Sequence, residues 1–521
     1  MLPYLSEVQN PSKKYSVVFR GINYGEGTQD GEFAETYNLS TDQYPCITQR
    51  AARLWDADYT KPTTLHSKGK LLVIDGTEVF YGGKKIENAT VTEGKKQTAT
   101  IGNYIVIFPD KKYYKVPTVD ENGVMQEGVF GSMEAEYEGT GLKFTASTIS
   151  KEGANFPFEE GDAVTITGCS ENGNNKTAEI IIRGKTANEL IFDDNAFTAV
   201  ASDGTEENPI IISRTVPDLE FICESNYRLW GTKGNTIYSS KFSSPFNFHV
   251  FDNLASDSYA IEVGSEGDFT GCMPYSSHIC FFKENTLHKL YGTKPSNFQI
   301  TTVNVYGVQS GSERSMQIVN EQLLYKGVGG VYAYTGGVPE LISEKFGNKR
   351  YSDAVACCDG EKYYISMKQG DTYSMFVYDV MKNIWLREDD THAVDMTFFD
   401  GKVYYLDAEG GLYYIDKTAD RGDIEWGATF CTMHETINER KGYSKFHLRL
   451  DMSAGAWISV DIKTDNDLKW KEVHTSHNEK AKTITIPIMP TRCDSIDIRL
   501  RGKGKCTVKS FIREFTVGSD V

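Results

Sequence analysis

The sequence predicts an all-β chain: a β-propeller of about seven blades, with an inserted small β-barrel and a C-terminal β-sandwich. Three observations predict it. Seven stretches repeat one pattern: a polar or glycine residue, an apolar-aromatic run, a tight turn, then a second aromatic-rich run. The repeats recur at blade-like intervals. After Asp416 the runs lengthen and the turns change, which marks a different β module.

The seven stretches begin at Gly69 (GKLLVIDGTEVFYGG), Gly102 (GNYIVIFPDKKYYKV), Ser225 (SNYRLWGTKGNTIYSSK) and Ser276 (SSHICFFKENTLHKLYG). The others begin at Asn320 (NEQLLYKGVGGVYAYTG), Gly360 (GEKYYISMKQGDTYSMFVYDV) and Asp400 (DGKVYYLDAEGGLYYID). Each reads as a β-hairpin. One hairpin cannot bury its own apolar face, so repeated hairpins must stack, and radial stacking is a propeller. The steps between starts are 33, 123, 51, 44, 40 and 40 residues. A four-stranded blade takes about 40–50 residues. The step of 123 therefore contains an insertion, placed at residues 117–214.

Within the insertion, residues 163–168, 177–183 and 189–192 read as strands, with Asn172-Gly173 as a hairpin turn. This pattern predicts a small β-barrel, with the polar residues 204–209 as its exit linker. Near the N-terminus, residues 15–20 form a strand candidate that could pair with the last blade and close the ring, removing unpaired edges. Residues 28–53 read as irregular, with turns at Gln29-Asp30-Gly31 and Tyr44-Pro45, and the sequence allows a short helix at 48–54. Beyond residue 418, six strands are expected at 427–434, 444–452, 456–464, 483–487, 494–501 and 506–515, the count of a β-sandwich. The expected organisation is thus 1–116 (N-terminal segment and first blades), 117–214 (insert), 215–418 (remaining blades) and 419–521 (sandwich).

Composition agrees with a large globular β protein. The 521 residues exceed one core, 12% are aromatic, and 47 glycines serve many tight turns. No apolar run approaches the ~20 residues of a membrane span, so no membrane insertion is expected. The start MLPYLSEVQNPSKK lacks the basic and apolar regions of a secretory signal. The ten cysteines show no CxxC spacing and read as reduced thiols, the adjacent Cys357 and Cys358 included. Net charge is −17 and uneven: residues 421–521 carry 17 Lys+Arg and 14 Asp+Glu, a net of +3, which leaves −20 elsewhere. An acidic body repels nucleic acid, although an acidic wall lets DNA slide past without sticking.

No catalytic motif is present: no G-x-S-x-G, H-E-x-x-H, P-loop or G-x-G-x-x-G. The fragment at 201–205, ASDGT, lacks the Trp of a glycosidase Asp box and occurs once. The nine histidines are scattered: His474 and His477 read as a surface loop, and His278 with His288 as a generic hairpin pair. Asp465-Asn466-Asp467 lacks the later Gly and Glu of an EF-hand and reads as a turn. Aromatics such as Trp230, Phe246 and Phe248 read as blade packing rather than as a carbohydrate platform. No enzyme activity, cofactor or metal is expected.

One feature allows a docking role. Arg499, Arg501, Lys503 and Lys505 alternate, which on a strand puts them on one face. They form either a ridge that docks on an acidic partner or touches phosphates, or, the plainer reading, a solvated sheet face.

Four blocks, in order, resemble a family of bacteriophage tail hub or nozzle proteins, also described as packaged-DNA stabilisation proteins. They are residues 19–50 (a Gly-rich start leading to DGE, NLS, YP and R), 228–248 (RLWGTKGNTIYSSKFSSPFNF), 161–181 (GDAVTITGC, then NNKTAEII) and 487–520 (PIMPTRCDSIDIRLRGKGKC and onward). The resemblance implies a virion structural protein, assembled in the host bacterial cytoplasm. It implies copies joined in a ring, hexameric in that family, below portal and adaptor. Such a ring would line the channel for double-stranded DNA and anchor fibre or needle proteins. A distal receptor-binding tail protein and a propeller-type polysaccharide hydrolase are the alternatives.

Overall fold

The computed structural model describes residues 11–419, 422–435, 439–465, 467–480, 482–489 and 492–518. The chain is all-β: among the described residues the helical pieces are four three-residue 3-10 turns, and no helix is long and apolar enough to cross a membrane. It divides into two compact units, Met1–Tyr59 with Arg314–Val521, and Thr60–Glu313.

Seven four-stranded antiparallel sheets have meander order, and each contains one of the seven predicted hairpins as its two central strands. Sheets I to IV lie in the Thr60–Glu313 unit and are centred on Lys70–Asp75, Tyr104–Phe108, Arg228–Lys233 and His278–Lys283. Sheets V to VII lie in the other unit, centred on Gln322–Gly327, Lys362–Gln369 and Lys402–Asp407. Central strands are buried on both faces, as His278–Lys283 is at every position, and so read as continuous apolar runs. Fourth strands such as Gln299–Asn304 and Lys84–Thr90 are largely exposed and carry no such signal.

Each repeat opens at, or one residue before, the turn from first to second strand. Asn226–Tyr227, Asn320–Glu321 and Asp400–Gly401 are consecutive left-handed pairs. Two positive φ values make a type I′ turn, whose twist matches that of the flanking strands. Consecutive sheets share cores. Leu72 and Ile74 of sheet I pack with Ile105 and Ile107 of sheet II; Trp230 of III packs with Phe281 of IV; Tyr363 of VI packs with Leu324 of V. First strands also meet: Gln97–Ile101 contacts Phe221–Ser225, which contacts Phe269–Tyr275, and in the other unit Ser352–Cys358 contacts Ala393–Phe399. Within each unit the sheets therefore fan out from their first strands.

Sheet VII is completed by Ala52–Asp58, which pairs antiparallel with Gly411–Asp416. This corrects the expected role of residues 15–20. The strand there is Ser12–Ser16, and it pairs with Cys506–Gly518 at the C-terminus, not with the last meander. The irregular segment and helix expected at 28–53 are also corrected, because Glu32–Tyr37, Leu39–Ser40, Ile47–Gln49 and the start of Ala52–Asp58 are strands.

The residues beyond 418 form two sheets with help from the N-terminal segment. One runs Leu39–Ser40, Ile47–Gln49, Cys506–Gly518, Arg440–Met452, Thr483–Pro487, and the other Gly21–Ile22, Glu32–Tyr37, Glu425–Phe430, Ile496–Lys503, Trp457–Thr464, Lys471–Ser476. Phe33, Phe430, Phe446, Leu448, Val460 and Ile498 belong to the one core they share. Arg513, 1% exposed, ties the chain ends by donating to Ser16 (2.6 Å), Asp30 (2.9 Å) and Glu435 (2.6 Å).

The insertion begins later than expected. Val129–Ser132 returns to complete sheet II, so the inserted sheets start at Ala135–Gly139 and end at Ile210–Arg214. A four-stranded and a five-stranded sheet enclose a core that includes Phe144, Phe158, Ile166 and Phe192. Residues 204–209 are not an exit linker: they turn the chain back into Ile210–Arg214, which pairs with both Ala135–Gly139 and Ala163–Thr167. A 3-10 turn at Asn172–Asn174, rather than a two-residue hairpin loop, connects Ala163–Thr167 to Lys176–Ile181.

Candidate functional site

The strand Ile496–Lys503 alternates strictly between buried and half-buried residues. Ile496, Ile498 and Leu500 enter the shared core, which turns Arg499, Arg501 and Lys503 outward as the alternation predicts. Gly502 also faces inward: a Cβ there would stand 2.3 Å from Trp426, so only glycine leaves room for the indole. Lys505 is exposed beyond the turn at Gly504 (φ +78°) and stands apart from the three cations of the strand.

Cross-strand register sets what the cations meet. Arg499 lies opposite Asp461 and Thr429, Arg501 opposite Ser459 and Gly427, and Lys503 opposite Trp457 and Glu425. The carboxylate of Asp461, 1% exposed, holds both arginines. Arg501 forms a two-point pair with it, Nε to Oδ2 at 2.6 Å and Nη2 to Oδ1 at 3.0 Å, and Arg499 donates from Nε at 2.9 Å. Burial alone would raise the Asp461 acid, but the hydrogen bonds from Arg501 and Arg499 hold it below its ordinary value. Glu472 adds a 3.4 Å contact to Arg501. The Arg499 guanidinium also stands 4.5 Å from the Trp470 ring centre, with Lys463 at 4.9 Å from the same ring.

The ridge is therefore braced from beneath rather than loose in solvent. Beside it runs a groove of about 270 Å³ lined by Glu35, Tyr37, Gly427, Trp457, Arg499 and Arg501. Gly427 leaves its floor open, since a Cβ there would find only Leu500 O within 4 Å, at 3.5 Å. Fixed guanidinium planes beside two aromatic residues suit a planar or carboxylate side chain of a partner protein.

The other singled-out residues are built into the fold. His288 donates or accepts at Ser265 Oγ (2.8 Å) and Thr302 Oγ1 (2.9 Å), and burial with the neighbouring Lys283 pulls its acid down to about 4. A serine–histidine contact exists, but the third group is a hydroxyl, not the carboxylate that orients a catalytic imidazole. His278 lies 4.9 Å from the Tyr291 ring. His474 sits on the strand Lys471–Ser476 rather than in a loop. Asp465 is left-handed after Trp457–Thr464, as a turn requires, while Asn466 lies outside the described residues. None of the ten cysteines is in a disulfide, and eight of them are buried. Among the described residues no group of three or more His, Cys, Asp or Glu is placed to hold a metal.

One cluster has no sequence signal. Arg53 on the strand that completes sheet VII pairs with Glu388 (2.5 Å) and Asp389 (2.7 Å) of the fourth strand of sheet VI, and donates to Thr391 (2.6 Å). Arg50 joins it at 3.7 Å from Asp389. Lys362 reaches Asp42 and Ser40 nearby. Its members lie hundreds of residues apart, so only the folded chain brings them together.

No family model matches the chain, and no curated protein matches it. Solved structures that resemble it include BamB from Moraxella catarrhalis (11% identity over 71% of this chain and 98% of that one, TM-score 0.35). Others are Hsv2 from Kluyvelomyces marxianus (12%, 41% and 64%, 0.27) and an exo-β-1,3-galactanase from Phanerochaete chrysosporium (8%, 55% and 92%, 0.21). Likenesses this remote carry no argument about function.

Proposed function

We propose that this chain is a non-enzymatic structural component of a bacteriophage tail, a hub or nozzle subunit that joins its own copies in a ring below portal and adaptor. The body is a seven-bladed propeller, the insert a small barrel and the C-terminal part a sandwich. The observation that carries the reading is the fan of meander sheets within each unit, with sheet VII completed by an N-terminal strand. Within each unit, neighbouring sheets of that arrangement share apolar cores. The four blocks of sequence resemblance fall on separate parts of it: the N-terminal strands, sheet III, the insert and the C-terminal sheets.

In this role the acidic body lets DNA pass without adhering, and the braced ridge and its groove serve as a contact for a neighbouring copy, adaptor or fibre protein. Immunogold labelling of intact virions tests it. Label on the tail axis beneath the capsid is expected. Label at fibre tips, or a chain absent from purified virions, would refute the assignment.

A further inference from the structure

Between the third and fourth strands of sheet II the chain forms a separate two-stranded hairpin, in which Thr118–Val119 pairs with Met125–Gln126. Its turn is built locally. The Asp120 carboxylate accepts from the backbone amides of Asn122 (3.0 Å) and Val124 (2.8 Å) and from the Gln126 side chain (3.0 Å). A lone hairpin is marginal in water. This one nevertheless turns Val119, Val124 and Met125 to solvent, at 62%, 56% and 66% exposure. Clustered apolar side chains left in water mark a surface that another protein covers.

The charge of this arm is one-sided. Residues 117–128 carry Asp120, Glu121 and Glu127 and no Lys or Arg. Glu121 and Glu127 are exposed and form no ion pair among the described residues. The stretch 117–214, which the arm opens, holds 6 Lys+Arg and 18 Asp+Glu, a net of −12.

The groove beside the cationic ridge has the opposite character. Register places Gly427 between Tyr37 and Arg501 on the outer face of its sheet. The missing side chain opens a notch between an exposed phenol ring and a guanidinium, and Trp457 and Arg499 extend its walls. Asp461 and Glu472 take the Nε and Nη2 of the two arginines, and among the described residues no hydrogen bond uses the Nη1 of either. Of the two carboxylates that line the groove, Glu425 lies opposite Lys503 and Glu35 attracts Lys349. The groove belongs to the C-terminal sheets, in the part of the chain whose net charge is +3. At about 270 Å³ it takes side chains from a narrow element rather than a broad surface.

Resting on the reading that copies of this chain join in a ring, we propose that the arm at 118–126 seats on the Gly427 groove of a neighbouring copy. Val124 and Met125 cover Tyr37 and Trp457, while Glu121 and Glu127 reach the outer edges of Arg499 and Arg501. The two halves of the contact lie on different parts of one chain, so it is head-to-tail, the kind of contact that closes a ring. Arm against arm would bring like charges together.

Sedimentation of the full chain, with carbodiimide cross-linking of mixed isotopically light and heavy chains, tests this. Assembly beyond the monomer is expected, with Glu121 or Glu127 of one isotope joined to Lys463 or Lys503 of the other. Met125→Asp on the arm and Gly427→Val in the groove should each raise the concentration for half-assembly at least about tenfold. Met125 is exposed, and a Cβ at Gly427 meets only Leu500 O, at 3.5 Å, so neither change disturbs the fold, which the thermal midpoint checks. Val338→Asp, an exposed site elsewhere, should leave assembly unchanged. A chain that stays monomeric at its highest soluble concentration, cross-links only between other surfaces, or unchanged assembly in both variants would overturn the proposal. Axial label in virions together with cross-links between other surfaces would leave the tail assignment standing and overturn this contact alone.

Discussion

Arg53 and Glu388 meet at 2.5 Å although 335 residues separate them, and the pair is nearly buried. It joins the strand that completes sheet VII to the fourth strand of sheet VI. Removing Arg53 leaves the buried Glu388 with only the longer Arg50 contact at 3.9 Å. Arg53→Met should therefore cost about 3–5 kcal/mol, and Arg53→Met with Glu388→Gln should cost less than the two single changes summed. Urea unfolding of the three variants gives the comparison, and strictly additive losses would show that the pair does not act as a unit.

Gly502 sits where a methyl group would enter the Trp426 ring. Gly502→Ala overpacks the C-terminal core and should destabilise it by about 1–3 kcal/mol. The reading is the thermal midpoint of the chain, together with the Trp fluorescence maximum. An unchanged midpoint would mean that the sheets part more easily than their packing indicates.

Asp461 restrains both ridge arginines. Asp461→Asn removes the charge and weakens those bonds, each worth about 1.5–3 kcal/mol when a charged group takes part. Because Arg499 and Arg501 are partly exposed, the loss should fall at the lower end of that range. The variant should also elute later from an immobilised polyanion at low salt, since two guanidinium groups become free. Identical elution would show that the arginines are held by something other than Asp461.

His288 is buried as the neutral imidazole, with its acid near 4 against about 6.5 in an unfolded chain. A depressed histidine leaves stability intact above pH ~6.5, and stability is lost as pH falls from there toward 4, because the unfolded chain takes up the proton first. By pH 5 the loss is about 2 kcal/mol. Stability measured from pH 7 to 4.5 should show this slope, and His288→Gln should flatten it. A slope that survives the substitution would assign it to other groups.

The sequence made the seven hairpins legible because their strands are buried on both faces, so every position of His278–Lys283 must be apolar or internally paired. The fourth strands stayed hidden because they face solvent. Ala52–Asp58, with Trp55 58% exposed, carries too few buried positions to announce itself, whereas the more apolar residues 15–20 read as the closing strand. The alternation of Arg499, Arg501 and Lys503 was readable from spacing alone. Their shared partner Asp461 was not, because cross-strand register is decided by packing between segments distant in sequence.

A cryo-EM map of tail-containing particles, at a resolution that separates strands, decides whether the chain is a tail subunit built on a closed ring of sheets. The expected map shows an axial ring of copies, each with seven four-stranded sheets closed radially and residues 52–58 seated in the last. A map in which the sheets run in an open line, or in which the chain is found only at the distal tip, would contradict both the fold and the role proposed for it.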